Sequence, residues 1–285
     1  ALKGVTFDVE EGEIFGLIGP DGAGKTSLFR ILTTLLLADS GKAVVDGMDV
    51  VNDYKKIRRH IGYMPGRFSL YQDLTVEENL SFFATVFNTT IEENYHLVED
   101  IYRQIEPFKK RKAGKLSGGM KQKLALSCAL IHAPHVLFLD EPTTGVDPVS
   151  RKEFWEMLQK LKKNFKLSIV VSTPYMDEAL QCDRIALIQD GQFLTIDTPE
   201  NIIRAYTQTL WSLRSDKMHR LLTDLRSIDG VKTAFAFGEN HHATIDTSVL
   251  TVDSLRNRLV GLGHRNIVIE VVEPTIEDCF MNLQK

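Results

Sequence analysis

The segment Gly19-Pro20-Asp21-Gly22-Ala23-Gly24-Lys25-Thr26 reads G-x-x-x-x-G-K-[ST], and it confines the chain to folds that set a strand before this loop and a helix behind it. Glu13-Ile14-Phe15-Gly16-Leu17-Ile18 supplies the strand as a short apolar run. Ser27-Leu28-Phe29-Arg30-Ile31-Leu32 supplies the start of the helix. Glycines let successive backbone N–H groups turn onto phosphate oxygens, and the helix N-terminus adds its positive dipole end. Lys25 is then expected on the β- and γ-phosphates, with the Thr26 hydroxyl on Mg²⁺.

Val136-Leu137-Phe138-Leu139-Asp140 is four apolar residues ending in an acid, the pattern of a buried parallel strand that delivers a carboxylate to the sheet's C-terminal edge. Asp140 is a candidate Mg²⁺ ligand, through water. Glu141 is a second carboxylate, suited to orient or deprotonate an attacking water. Pro142 ends the strand.

Between the two lies Leu116-Ser117-Gly118-Gly119-Met120-Lys121-Gln122, followed by a helical stretch to about Ile131. Ser117 is a natural N-cap, and the two glycines bare the backbone at that helix start. Two readings of it are open: an ordinary Ser-capped helix, or a second anion site that serves another copy or partner.

In these motifs and their order the chain resembles the nucleotide-binding domain of ABC transporters, over nearly all of residues 1–205. Gly24-Lys25-Thr26 matches the Walker A loop, Leu116 to Met120 the signature, and Leu137 to Glu141 the Walker B strand with its catalytic acid. Thr144-Gly145-Val146-Asp147 is similar to the D-loop. The resemblance implies a head-to-tail dimer with two ATP molecules, each held between one subunit's Walker A and the other's signature. Gly19 to Ser27, Asp140, Leu116 to Met120 and Asp147 are the ATP-contacting residues on that pattern, and Thr26 and Asp140 the Mg²⁺ ligands.

Two positions depart from the pattern. In Ile61-Gly62-Tyr63-Met64-Pro65-Gly66-Arg67, Gly66 stands where the family's Q-loop glutamine is expected, and Gln72 comes six residues too late. In Val171-Ser172-Thr173-Pro174-Tyr175, Pro174 stands in place of the switch histidine, with neither imidazole nor N–H to offer. Loss of one preorganised transition-state donor costs about 10²–10³ in rate. The expected function is therefore an ATPase subunit that powers an exporter by ATP-driven dimer closure, with impaired hydrolysis at its own Walker site. A nucleotide-dependent regulatory or assembly module is the alternative.

The 285 residues leave room for two domains. An α/β P-loop core with a helical subdomain at about 74–122 is expected over 1–206, and a small α+β domain of ferredoxin-like order β-α-β-β-α-β over 207–285. That appendage serves regulation, dimerisation or simple capping, and its last residues resemble the tail of drug-exporter-type ABC ATPases. Leu80, Phe83, Ala84 and Phe87 share a helical face. Tyr71, Phe82, Phe83 and Phe87 are candidates for contact with a membrane subunit, core packing being the commoner role of such aromatics. Residues 1–9 look like a strand, and on the family's plan the adenine-stacking aromatic would precede them, so weakened but not abolished nucleotide affinity is expected.

A net charge of −4 gives no basic excess, so DNA and RNA are not expected partners. No run of eighteen apolar residues occurs, so transport needs a transmembrane permease subunit, with a second ABC domain, identical or not, as the other partner. The expected location is cytoplasmic, peripheral on the inner face of the membrane. Cys128, Cys182 and Cys279 form no C-x-x-C pair and read as buried packing residues of a reducing compartment. The eight histidines read as surface or packing residues: Pro134 separates His132 from His135, no third ligand lies near in sequence, and His241-His242 falls in a hairpin turn.

Overall fold

Ile14–Ile18 forms β1, and all five residues are buried, as a strand covered on both faces requires. The computed structural model describes residues 2–67 and 69–284, which divide into two units, Ala1–Pro199 and Glu200–Lys285. In the first, β1 is followed by α1 (Lys25–Leu32), the hairpin β2 (Val44–Val45) and β3 (Met48–Asp49), α2 (Tyr54–His60) and β4 (Ile61–Met64). Next come α3 (Val76–Val86), α4 (Ile91–Tyr102) and α5 (Gly118–Leu130), then β5 (Val136–Asp140), α6 (Pro148–Phe165), β6 (Ser168–Thr173), β7 (Arg184–Gln189) and β8 (Gln192–Asp197).

The main sheet has the order β4-β5-β6-β1-β7-β8. Every pairing is parallel except β7 with β8. Register pairs Met64 with Leu139, Asp140 with Ser172 and Ile18 with Thr173, so the loops that leave β4, β5, β6 and β1 emerge side by side. Phe29 of α1 meets Phe138 of β5 edge-on at 5.6 Å, and both belong to the core with Phe15, Ile57 and Val170. Residues 2–9 form no strand. Their Leu2, Val5, Phe7 and Val9 still pack on the core, the last three in alternation, and Phe7 stacks on Phe15 at 5.4 Å. Inward alternation alone does not make a strand, which needs a ladder partner.

Thr75 and Thr90 open α3 and α4 with reciprocal capping boxes to Glu78 and Glu93. Leu80, Ala84, Val98 and Ile101 are buried where these helices pack on α5. The fully buried Asn79 spends its amide on the Tyr71, Leu74 and Thr75 carbonyls, which fixes the turn ahead of α3. His132 stacks on Phe87 at 3.8 Å with Nε2 2.9 Å from the Ile61 carbonyl, a packing role that also takes Phe87 out of the exposed set.

The second unit holds β9 (Thr209–Arg214), α8 (Met218–Ser227), β10 (Val231–Phe237), β11 (Asn240–Ile245), α9 (Val252–Gly261), β12 (Val268–Val272) and α10 (Ile276–Leu283), preceded by α7 (Pro199–Arg204). Its sheet runs β10-β11-β9-β12, antiparallel throughout, the ferredoxin-like arrangement. The unit begins earlier than position 207 because the Cys279 thiol reaches the Ile202 carbonyl of α7 and the Tyr206 hydroxyl meets Thr244 at 2.7 Å. The β10–β11 turn is Gly238-Glu239, which corrects the placement of His241 and His242: both are buried strand residues. Neighbours in a strand face opposite ways. His241 Nε2 accordingly lies 2.7 Å from the Met218 carbonyl of α8, and His242 Nδ1 2.7 Å from Asp278 Oδ1 of α10.

All three cysteines are free and buried. Burial pushes the Cys279 thiol up to about 11 and those of Cys128 and Cys182 higher still. No helix among the described residues is long and apolar enough to cross a membrane.

Phe29→Ala removes a fully buried ring from under the phosphate loop's own helix. A loss of about 3–5 kcal/mol of folding free energy is expected, read from the urea midpoint of the full chain.

Candidate nucleotide site

Gly22 and Gly24 take φ of 80° and 108°, the left-handed region that side chains disfavour, and so bend the loop after β1 over the start of α1. Gly19 is glycine for a different reason: a Cβ there would lie 2.1 Å from the Ile188 carbonyl oxygen of β7. Around Gly22 a Cβ would meet nothing within 4 Å, so the loop presents backbone to open space. α1 has no side-chain cap and no acid in its first turn, which leaves that helix end to an outside anion.

Lys25 is 3% exposed. Its Nζ donates to the Gly19 carbonyl at 2.7 Å and the Pro20 carbonyl at 3.0 Å, and stands 3.3 Å from Glu141 Oε1. The Thr26 hydroxyl donates to Asp140 Oδ1 at 3.2 Å, joining the two candidate Mg²⁺ ligands across the chain. Both offer oxygen only, the donor type that suits Mg²⁺. Burial and the Asp140 carboxylate beneath it push the Tyr63 phenol up to about 12.

Sequence reasoning missed Ser172. Its hydroxyl donates to Asp140 Oδ1 at 2.6 Å and accepts from the Glu141 N–H at 3.1 Å, while its own carbonyl accepts from that N–H at 3.0 Å. Glu141 is thereby held at φ 51°, turned out of the strand toward Lys25. The signal was present as a polar Ser-Thr pair directly after the apolar run Ile169-Val170-Val171.

Ser117 caps α5, its Oγ accepting from the Met120 N–H at 3.4 Å. Leu116 is buried beneath it, whereas Ser117 and Gly118 are exposed. A Cβ on Gly119 would lie 2.8 Å from Ser150 Oγ, and one on Gly118 3.5 Å from the Gly145 carbonyl. The signature thus sits against the loop 144–147 and the start of α6. Asp147 caps α6 by accepting from the Ser150 N–H at 3.0 Å, which holds its carboxyl below the usual range.

The family profile described as "ABC transporter" matches residues 2–144. The chain is an ATP-binding domain of the ABC transporter family. It is 44% identical over 207 residues to the probable multidrug ABC transporter ATP-binding protein YbhF of Escherichia coli, covering 71% of this chain and only 35% of that protein. It is 30% identical to the linearmycin resistance ATP-binding protein LnrL of Bacillus subtilis over 99% of this chain and 93% of the relative. A bacterial ABC transporter cassette solved as a dimer superposes with a TM-score of 0.63 at 27% identity, over 69% of this chain and 90% of that one.

In this ABC domain the two departing positions lie at the same sheet edge as the motifs. A Cβ on Gly66 would be 3.1 Å from the Asp140 carbonyl oxygen and 3.8 Å from the Glu141 Cβ, so position 66 flanks the Walker B acids. Pro174 directly follows Thr173, the last residue of β6, whose hydroxyl donates to the buried Glu178 at 2.6 Å. Tyr175 is overlaid by the Arg151 guanidinium at 4.3 Å.

Ser172→Ala strips Asp140 and the Glu141 N–H of one partner at a fully buried position. Because the lost bond is to a carboxylate, folding stability should fall by about 1.5–3 kcal/mol in a chemical-denaturation titration.

Proposed function

We propose that this chain is the ATPase of an ABC exporter, capturing Mg-ATP at its Walker side, closing onto a second ABC domain, and hydrolysing slowly at its own site. The observation that carries this reading is the coexistence of two helix starts open to an anion, the glycine loop before α1 and the exposed Ser117-Gly118 cap of α5, in a chain with one Lys-bearing phosphate loop. A dimer that puts one chain's cap over the other's loop uses both, and a related cassette is dimeric.

On this reading Gly19 to Ser27 wrap the phosphates, with Lys25 on the β- and γ-oxygens. A γ-phosphate competes with Glu141 for the Lys25 ammonium and so frees that carboxylate to orient water. Thr26 and Asp140 would hold Mg²⁺, which when bound would supply positive charge to offset the charge that develops in the transition state. Leu116 to Met120, together with Asp147, serve the nucleotide of the partner domain. Gly66 and Pro174 withhold two groups that would otherwise serve the γ-phosphate in the transition state; their effects need not add, since both act at one place. A competent partner site that borrows Ser117, Gly118 and Gly119 from this chain keeps such a pair active.

Membrane attachment is through the helical arm. Tyr71 and Phe82 meet edge-on at 4.8 Å and are 50% and 38% exposed, with Val86 beside them at 55%, an apolar patch suited to a permease subunit at the inner face of the membrane. The second unit, Glu200–Lys285, we assign to an accessory domain. Gly66 and Pro174 also favour a second reading, a nucleotide-dependent assembly or regulatory module in which slow hydrolysis is the useful property.

Turnover by the purified chain, by Pro174→His and by Gly66→Gln with Pro174→His decides between slow and ordinary hydrolysis. The repaired forms should exceed the parent by about 10²-fold or more. Pro174→His stands as an independent arm because any Cβ placed at position 66 requires the Asp140 carbonyl to give by a few tenths of an ångström. Brisk turnover by the parent, with no gain on repair, overturns the proposal.

A further inference from the structure

Asp46, His60 and His135 converge although the two histidines lie 14 and 89 residues from the aspartate. The fold accounts for the meeting. Val45-Asp46-Gly47-Met48 turns β2 into β3 with φ of 51° at Asp46 and 71° at Gly47, the type I′ combination that Asp-Gly favours. His60 immediately precedes β4 and His135 immediately precedes β5, two strands whose parallel register pairs Ile61 with Val136. The His135 N–H donates to the His60 carbonyl at 2.8 Å, so the ladder itself sets the two imidazoles side by side. Their rings stand 4.9 Å apart at 70°. This is the N-terminal edge of the sheet, the opposite end from the phosphate loop.

One atom of the turn faces both rings. Asp46 Oδ2 is 3.0 Å from His60 Nδ1 and 2.9 Å from His135 Nδ1, and the three possible ligand atoms lie within 4.8 Å of one another. We propose that Asp46, His60 and His135 form a site for a late first-row divalent cation, Zn²⁺ being the type ion, bound by Asp46 Oδ2 and the two Nδ1 atoms with water completing the shell.

The donor set decides the class of ion. Two imidazole nitrogens and one carboxylate suit Zn²⁺ and its neighbours, whereas Mg²⁺ and Ca²⁺ prefer oxygen alone. In the hydrogen-bonded form each Nδ1 directs a proton at the same carboxylate oxygen. A cation replaces those two protons among three donor atoms that already lie within 4.8 Å of one another. Tetrahedral bonds of about 2.0–2.1 Å set donors about 3.3 Å apart, so Asp46 Oδ2 needs to open from each imidazole nitrogen by only about 0.3–0.4 Å, while the two nitrogens, within 4.8 Å of each other, adjust by side-chain rotation. The side chains are 30%, 42% and 62% exposed for Asp46, His60 and His135, which gives solvent and ions access from one side. Binding ties a hairpin of two residues per strand to the starts of β4 and β5.

The test uses the full chain, without nucleotide, in chelator-treated buffer at about pH 7.5, above the ordinary imidazole range. Titration with Co²⁺ should give one equivalent with the intense visible bands of a four-coordinate ion, and Zn²⁺ should displace it. His135→Gln and Asp46→Asn should each weaken Co²⁺ binding by about tenfold or more. ¹⁵N spectra of the unmodified chain's imidazoles should show two Nδ1 signals moving on Zn²⁺ addition, a readout independent of whether any variant folds. No Co²⁺ bands and no calorimetric Zn²⁺ binding, or uptake that survives His135→Gln while the His60 and His135 signals stay still, overturns the site.

Discussion

Parallel pairing of β4, β5, β6 and β1 is the constraint on which the rest of the molecule depends. Because these four strands are neighbours and point the same way, the residues that leave them, Gly66, Asp140-Glu141, Pro174 and Gly19, are delivered to one edge with no further device. The same register works at the other edge, where it sets His60 beside His135. Close approach then restricts residue type. Gly19 is held to glycine by the Ile188 carbonyl of β7, and Gly62, within β4, by the Ala129 carbonyl 2.4 Å from where its Cβ would stand.

Charge burial is the second constraint. An ammonium that is 3% exposed is tolerated only with partners, and Lys25 has two carbonyls and one carboxylate within 3.3 Å. Its carbonyl partners belong to the loop it closes, so Lys25 stiffens the loop that it is expected to serve. Glu141 is the one partner that a competing anion can replace, since its backbone is fixed by Ser172 and not by Lys25. Asp140, by contrast, has both the Ser172 and Thr26 hydroxyls on one oxygen and is oriented from two sides.

Most of the candidate nucleotide site was legible because it is written in contiguous residues. The glycine loop, the strand ending in Asp140-Glu141 and the Ser117-Gly118-Gly119 cap each carry strand or helix signals within a few positions. Ser172 was not legible because its role depends on a cross-strand register that pairs it with Asp140. Asp46, His60 and His135 were missed for the same reason: their proximity is set by a turn and a ladder, and spacing along the chain says nothing of either. The hairpin at Gly238-Glu239 shows how little is needed to misplace a side chain. A turn ending three residues earlier than expected carries His241 and His242 from loop into strand, and period-two alternation then buries one on α8 and the other against Asp278.

Capture and cleavage of a nucleotide ask for different groups, and the pattern of departures separates them. Contacts made equally to substrate and transition state hold the ligand without accelerating the reaction. On the proposed reading, loop amides, Lys25 and the Thr26–Asp140 pair are contacts of the holding kind; Lys25 closes on the Gly19 carbonyl, Thr26 meets Asp140, and the α1 start is uncapped. On that reading the glutamine and histidine expected at positions 66 and 174 would act where charge develops, and Gly66 and Pro174 offer no side-chain donor in their place. Gly66 lets its segment lie against the Asp140–Glu141 backbone, and Pro174 continues a strand end already secured through Thr173 and Glu178. On the function proposed above, a domain altered in this way would retain the binding energy that draws two cassettes together and shed the part that breaks the bond, which would favour a lasting closed state on this side of a pair.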